Sequence, residues 1–352
     1  MILLISPLPC VSGYFNANAL TIERGNIMKR VVCLFAILFF LVSATSAALA
    51  EQEPVKLKAV QFINLGNPSE KGFHLFIKNV KEGSKGELLI EIMGGPEAIP
   101  ARQQPEAVRN GAVDLCYVPC GWYQAICPAA AVMGLSRLDV IEGRKSGLHD
   151  FLVEEHRKAG LRFIGANDAS GPFNMYCKKP IDNPEKLKGM RFRHSPTYTF
   201  FKGVGIIPIT AGHSDIYPGL ERGLFEGLAT KLGTFLELSL FEVCPYVIGP
   251  DFWPNYSTGA IMNEAKYQSL PKHLQQVIQD AELKTEAEVG DVMRPLVEGW
   301  WATAKEKGMS RIDWSEGDTK KFLDTMDQLT WEARGKKLPP GMAEKIKGMM
   351  GF

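Results

Sequence analysis

Short strand-like runs alternate with helical runs along the first two thirds of the chain. Residues 55–63 (VKLKAVQFI) alternate apolar and polar side chains, as a strand with one buried face does, and residues 87–95 (ELLIEIMGG) also have a strand pattern. Between them, residues 70–86 place apolar side chains at helical spacing and end in a glycine, a common helix stop. This alternation predicts an α/β fold with largely parallel sheets.

The last third of the chain is mostly helical. Residues 270–309 have a helical pattern, with a break or bend expected near Pro295 because proline lacks the N–H of a helix hydrogen bond. Residues 318–338 predict a second helix. A chain of 352 residues is long enough for about two domains. Since no Gly/Ser-rich linker separates them, we expect two α/β lobes joined by short crossing segments.

The N-terminus has the pattern of a secretory signal peptide. A basic stretch (MKR) that begins at Met28 precedes an apolar run at residues 31–42, and a small-x-small cleavage signal (ALA) ends at Ala50. The apolar run is shorter than the roughly 20 residues that a membrane-spanning helix needs. We expect translation to start at this methionine and cleavage to follow this alanine, so residues 1–50 comprise an upstream extension and the signal peptide. The mature protein would then be periplasmic.

Composition and motifs argue against several function classes. The 40 basic and 39 acidic residues give no charged footprint for nucleic acid or an anionic membrane. The sequence contains no G-x-S-x-G, P-loop or H-E-x-x-H motif, and its six histidines have no metal-ligand spacing. We therefore expect no enzyme activity, no catalytic residue, no cofactor and no metal.

The cysteines do not form a recognisable metal or disulfide pattern. Five of the seven follow the predicted cleavage site, at Cys116, Cys120, Cys127, Cys177 and Cys244. An oxidising compartment allows a disulfide, but an odd number leaves at least one thiol outside any intramolecular pair. We expect mainly small buried side chains, and the pairing stays open.

Two arginines stand two residues apart in a strand-like segment, KLKGMRFRHSPTY, at residues 186–198. Side chains alternate along a strand, so Arg191 and Arg193 share one face. Arg193 lies nearer the carboxyl end, where ligands gather in open α/β sheets, and a guanidinium can hold a carboxylate by two parallel hydrogen bonds. For Arg191 a paired surface charge is the favoured interpretation. For Arg193 both interpretations stay open on these grounds.

Four motifs in order carry a resemblance to a known family. They are EAVRNGAVDL at 106–115, KKPIDNPEKLKGMRFR at 178–193, GIIPITAGHSDIYPGLERGLFEG at 205–227 and SLPKHLQQVIQDA at 269–281. From about Val55 onward, the chain resembles the DctP-type solute-binding proteins of TRAP transporters. The resemblance implies a two-lobed periplasmic-binding-protein fold with the ligand cleft between the lobes and long C-terminal helices.

The resemblance also sets expected lobe boundaries and partners. Lobe I would comprise residues 55–173 and 265–352, the latter with the C-terminal helices, and lobe II would comprise residues 174–264. The ligand would be a small organic acid. The protein would present it to the small and large integral membrane components of an ion-gradient-driven transporter.

In the family, the arginine that ends the strand of the second motif binds the ligand carboxylate, and it falls here on Arg193. Asp215 replaces the usual Glu before Tyr217. Phe173 stands where many members have a further arginine. Residues 228–230 (LAT) replace a polar stretch. The expected ligand-binding residues are Arg193, Phe173, Trp122, Tyr123, Tyr198, Thr230, Phe252 and Asp215.

The departures from the family pattern indicate the ligand class. Polar contacts are replaced by apolar or weaker ones, and aromatic side chains are frequent nearby, which favours a monocarboxylate with an apolar or aromatic body. The alternatives are a C4-dicarboxylate or sugar-acid binder of the same family, a ligand-presenting module of a sensor and, less favoured, a secreted α/β enzyme.

Overall fold

The fold is described from a computed structural model, which covers residues 53–194, 199–212, 214–253 and 258–351. Residues Pro54–Phe352 form one compact unit. The predicted upstream extension and signal peptide, residues 1–50, lie outside the described residues, as does Tyr198.

The strands and helices follow the predicted alternation. The described strands are β1 (Val55–Gln61), β2 (Leu88–Gly94), β3 (Leu115–Pro119), β4 (Leu161–Gly165), β5 (Phe173–Cys177), β6 (Arg191–His194), β7 (Ile207–Thr210), β8 (Gly227–Lys231), β9 (Tyr246–Phe252), β10 (Thr258–Asn263) and β11 (Ser310–Ile312). The described α-helices are α1 (Lys71–Gly83), α2 (Gln104–Arg109), α3 (Val140–Lys145), α4 (Leu148–Lys158), α5 (Ile216–Glu221), α6 (Leu232–Glu237), α7 (Glu264–Ser269), α8 (Lys272–Glu306), α9 (Glu316–Gly335) and α10 (Met342–Met349).

The described strands form two sheets. The first has the order β2-β1-β3-β10-β4, and the second has the order β11-β9-β5-β8-β6-β7. In the first, β1 is parallel to β2 and β3, whereas β10 is antiparallel to both neighbours. In the second, β6 is parallel to β7 and β8, whereas β5 is antiparallel to both neighbours. The predicted α/β class is confirmed.

The prediction of largely parallel sheets was wrong, because both sheets are mixed. In the part of the chain that the structure describes, no α-helix lies between β4 and β5 or between β9 and β10. A strand that lies parallel to its predecessor in the same sheet needs a crossover connection, usually a helix. The chain instead reaches β5 and β10 by crossing from the other sheet, and each is antiparallel to both of its neighbours.

The lobe boundaries remain a prediction, and strand pairing bears on two of them. β10 pairs in the first sheet although the expected boundaries placed it in lobe II, and β11 pairs in the second sheet although they placed it with lobe I. We therefore propose that the chain first crosses at residues 166–172 and returns between β9 and β10.

The first crossing segment is packed between two helices. On α1, Phe73, Phe76 and Val80 are buried at helical spacing, and the helix packs against α8. Gly72 begins this face, and a β-carbon there would lie 2.0 Å from the Asn167 carbonyl oxygen. Only glycine therefore allows α1 to approach the crossing segment this closely.

Helix α8, which packs against α1, contacts the same segment. Its Glu282 is fully buried, and Asn167 Nδ2 donates to Glu282 Oε2 at 3.4 Å. Burial, and then the nearby Glu286 carboxyl, raise the pKa of Glu282 well above its usual range. Glu286 in turn pairs with Arg144 on α3. A neutral Glu282 carboxyl thus contacts the crossing segment while its neighbour pairs with a cation.

The helix is not broken at Pro295, and the bend expected as the alternative stays a prediction. α8 continues through this residue from Lys272 to Glu306. Pro295 and Asp291 are both exposed, so water can bind the Asp291 carbonyl that loses its helix donor. The five cysteines of the described chain are all buried and free, as the expectation of small buried side chains required.

Helix α4 covers the other face of the first sheet through a buried histidine. His156 Nδ1 lies 2.7 Å from the Leu152 carbonyl oxygen, which only accepts hydrogen bonds, so this nitrogen carries the proton. His156 Nε2 therefore accepts from the Tyr123 hydroxyl at 3.0 Å. Burial lowers the pKa of His156 to about 4, so the ring is neutral at neutral pH.

This histidine predicts a stability loss in mild acid. The unfolded chain binds a proton at His156 below about pH 6.5, whereas the folded protein leaves the ring neutral down to about pH 4. Between these values, stability falls as pH falls, by up to about 1.4 kcal/mol per pH unit. The slope of the free energy of unfolding against pH, measured by urea titration, should be smaller in His156→Gln.

The matched control for this prediction is His273→Gln on the exposed side of α8, beside Glu87. This variant leaves the buried His156 ring in place and should therefore reduce the slope less than His156→Gln does. Equal slopes in wild type and His156→Gln would contradict the assignment of a buried neutral ring to His156.

Candidate ligand-binding site

Three parallel strands of the second sheet bring their carboxyl ends to one edge. In β6, Arg193 lies opposite Ile209 of β7 and Leu228 of β8. Arg193 is half-buried, and its Nε donates to the Ala211 carbonyl oxygen at 3.3 Å, just beyond the end of β7. The edge therefore holds one guanidinium where ligands gather in α/β sheets.

The neighbouring arginine on the same strand face has a different environment. Arg191 is exposed, and its Nε lies 3.8 Å from Oε2 of Glu226. The same carboxylate accepts from the Arg191 backbone N–H at 3.1 Å. Arg191 is therefore a paired surface charge, as the sequence favoured.

The first sheet presents a second cation at its own carboxyl edge. β1, β2 and β3 run parallel, and they are followed by Phe62, Arg102 and Trp122 respectively. The Phe62 and Trp122 rings meet edge to face with centroids 5.6 Å apart. The Arg102 guanidinium lies over the Trp122 ring, 4.1 Å from its centroid. Sequence reasoning had chosen Trp122 and had missed Arg102.

The two carboxyl edges face each other. Asn67, which follows β1 in the chain, donates from Nδ2 to Oε2 of Glu237 in α6 at 2.7 Å. The Arg102 side chain is exposed, yet desolvation by its neighbours and then the positive charge of Arg193 lower its pKa. The two guanidiniums are therefore close enough to interact, although they belong to different sheets. The space between the edges is the candidate cleft.

An aromatic cluster, defined as Phe173, Phe200, Phe252 and Trp253, lies where β5 begins and β9 ends. Phe173 is half-buried, and its ring centroid is 6.0 Å from that of Phe252 and 6.1 Å from that of Trp253. Trp253 has a φ of 48°, a strained backbone conformation for a bulky residue. Such strain persists only where surrounding contacts hold it, and it often marks functional sites.

A buried ion pair joins the crossing segment to the end of β8. Lys231 Nζ donates to Asp168 Oδ2 at 2.7 Å and to Ser170 Oγ at 3.1 Å, and it lies 5.5 Å from the centroid of the Phe173 ring. Burial opposes ionisation of Asp168, yet Lys231 and Ser170 lower its pKa to about 2. The pair is therefore charged, and the lysine charge is offset within the protein. A lysine inside the otherwise apolar run LATKL was the signal that sequence reasoning passed over.

The remaining predicted residues lie in different places. Thr230 is half-buried on β8, opposite Asn174 of β5, and thus close to the edge. Phe252 is a buried member of the aromatic cluster. Tyr123 is 2 % exposed, and its hydroxyl is bonded to His156, so it belongs to the core and we do not retain it in the proposed site. Asp215 is exposed before α5.

The described residues contain no group of acidic, histidine or cysteine side chains that could hold a metal ion. The family model of bacterial extracellular solute-binding proteins, family 7, also called DctP, matches residues 60–336. The chain belongs to this family.

Relatives with this DctP fold span most of the chain. A solute-binding protein of Albidiferax ferrireducens is 21% identical over 272 residues, which is 74% of this chain and 80% of the relative. A TRAP periplasmic solute-binding protein of Desulfovibrio desulfuricans, solved with sn-glycerol-3-phosphate, has a TM-score of 0.72 at 23% identity and covers 84% of this chain and 96% of its own. Another, of Desulfovibrio salexigens, solved with orotic acid, has a TM-score of 0.72 at 19% identity, with 84% and 97% covered.

These findings confirm the predicted family and the two-lobed α/β fold with long C-terminal helices. The chain is therefore a solute-binding protein and not an enzyme. Across the described residues, no helix has the length and apolar character needed to cross a membrane.

The buried ion pair predicts a large loss of stability when it is broken. Lys231→Met leaves the Asp168 carboxylate buried without its cation, which typically costs about 3–5 kcal/mol. Lys188→Met removes an exposed pair with Glu185 and should cost about 1 kcal/mol or less. Urea titration of both variants measures the difference.

A double variant separates charge from packing. Lys231→Met with Asp168→Asn removes both charges and should regain part of the stability lost in the single variant. Equal effects of Lys231→Met and Lys188→Met would contradict the structural role given to the buried pair.

Proposed function

We propose that this protein is the extracytoplasmic binding component of a TRAP transporter and that it binds an organic acid through the carboxylate. The observation that carries the proposal is the position of Arg193. Its guanidinium is half-buried at the shared carboxyl edge of three parallel strands and faces the opposite edge of the cleft. A planar guanidinium matches the geometry of a carboxylate, and partial burial strengthens the bond.

The surroundings of Arg193 favour a monocarboxylate with an apolar or aromatic body. The half-buried Phe173 and the strained Trp253 offer an apolar wall. Lys231 is a further cation at the end of β8, but Asp168 offsets its charge, so it provides no second anion site. The Desulfovibrio salexigens protein was solved with orotic acid, a ring compound with one carboxylate.

Binding would couple to transport through closure. A ligand between the two edges would bring the lobes together, as in other hinged binding proteins. The closed form would present the acid to the small and large membrane components of the transporter. Export of the protein to the periplasm would rest on the proposed signal peptide within residues 1–50.

A panel of acids tests the ligand class. We expect benzoate, phenylacetate or 4-methylpentanoate to raise the midpoint temperature of unfolding of the purified protein. A ligand at about 100 times its Kd adds about 2.7 kcal/mol to the free energy of unfolding. The uncharged phenylacetamide should give no shift. Shifts confined to succinate or glucuronate would overturn the proposal that the ligand has an apolar body. A shift confined to sn-glycerol-3-phosphate would overturn the proposal that the protein recognises a carboxylate.

Two arginine variants test the binding contact. A hydrogen bond to a charged group is worth about 1.5–3 kcal/mol, and about 1.4 kcal/mol is a tenfold change in affinity. Arg193→Ala should therefore weaken binding of the best acid in the panel by about tenfold or more in titration calorimetry. Arg191→Ala, on the same strand face, is the control and should change affinity far less. Wild-type affinity in Arg193→Ala would refute the proposed contact.

A further inference from the structure

Arg102 is a cation at the cleft with no counter-ion among the described residues. It lies on the short 3-10 helix Ala101–Gln103 between β2 and α2. None of the ion pairs or hydrogen bonds of the described chain uses its guanidinium, which instead stacks on Trp122 at 4.1 Å. Stacking engages the face of the guanidinium and leaves the N–H donors along its edge for an acceptor.

A buried glutamine side chain fixes the turn that contains Arg102. The next residue but one, Gln104, is fully buried, and its Nε2 donates to the Gln61 carbonyl oxygen at 2.7 Å and to the Ile99 carbonyl oxygen at 3.0 Å. These bonds tie the turn to the end of β1. The Trp122 ring, on which the Arg102 guanidinium stacks, is itself packed against the Phe62 ring. A contact held in this way is preorganised for binding.

Arg102 and Arg193 reach the cleft from opposite sheets. The Asn67–Glu237 hydrogen bond joins the same two edges, and the positive charge of Arg193 contributes to the lowered pKa of Arg102. Two like charges near one another repel, and an anion between them removes the repulsion. A carboxylate has two oxygens that together accept about four hydrogen bonds, enough for two guanidiniums.

We infer that Arg102 is a second ligand contact, and that a single carboxylate is bound between Arg102 of the first sheet and Arg193 of the second. This inference rests on the proposed function and narrows its ligand class to acids whose carboxylate is at the end of a slim apolar body. Many family members have an arginine at the position of Phe173 in the second lobe. In this chain Arg102 supplies a second cation from the first lobe instead. The bound carboxylate thereby links the two lobes directly.

The test compares Arg102→Gln with Arg109→Gln, an exposed arginine on the adjacent α2 that pairs with Glu106. Titration calorimetry with each monocarboxylate of the panel, phenylacetate first, should show Kd raised about tenfold or more in Arg102→Gln and less than about twofold in Arg109→Gln. Arg102→Lys keeps the positive charge but lacks the paired N–H donors of a guanidinium. Its Kd should therefore lie between those of wild type and Arg102→Gln. Should Arg102→Gln fail to fold, Arg102→Lys carries the test.

A double variant tests whether the two arginines share one carboxylate. Arg102→Gln with Arg193→Ala should lose less affinity than the product of the two single losses, because contacts to one group are coupled. Wild-type Kd in Arg102→Gln, with binding lost in Arg193→Ala, would overturn this inference and leave the proposed function intact. An affinity loss in the double variant equal to the product of the two single losses would also overturn this inference. No binding of any carboxylate by the wild-type protein would overturn the proposed function itself.

Discussion

The candidate cleft depends on how the first crossing segment is anchored. Residues 166–172 must leave the first sheet and enter the second within a short stretch, and buried polar contacts hold two adjacent residues near its start. Asn167 contacts the neutral carboxyl of Glu282 on α8, and Asp168 forms an ion pair with Lys231 at the end of β8. These contacts place the start of β5, with Phe173, beside the edge that carries Arg193. The position of the aromatic wall relative to the guanidinium follows from them.

The cleft combines unbalanced charge with apolar surface. The lysine at the edge is offset by a buried aspartate, whereas Arg102 stacks on an aromatic ring and has no ion pair in the described part of the chain. Partial burial makes an anion in this space more strongly bound than it would be in water. The aromatic side chains add area that a polar ligand body could not use. Charge thus selects the head group, and apolar burial selects the remainder of the ligand.

Local patterns predicted what local contacts decide. The strand at 55–63, the helix at 70–86 and the position of Arg193 near the end of a strand follow from side-chain periodicity and from the family motifs. The mixed sheets did not, because the direction of β5 and β10 depends on where the chain crosses between sheets. The sequence could not separate a core role from a cleft role for Tyr123, because aromatic side chains are common in both, and its burial and its bond to His156 favour the core. Arg102 and Lys231 went unnoticed because their partners, Trp122 and Asp168, are distant in sequence.

The hydrogen bond between Asn67 and Glu237 has a consequence for the lifetime of the bound state. It joins the two edges at an exposed position, where water competes for both partners, and even a hydrogen bond to a charged group is worth only about 1.5–3 kcal/mol. A single contact of this size at the rim is small beside the charge and apolar burial that the interior of the cleft offers a ligand. The groups in the interior, more than the contact at the rim, would then set how long a ligand stays.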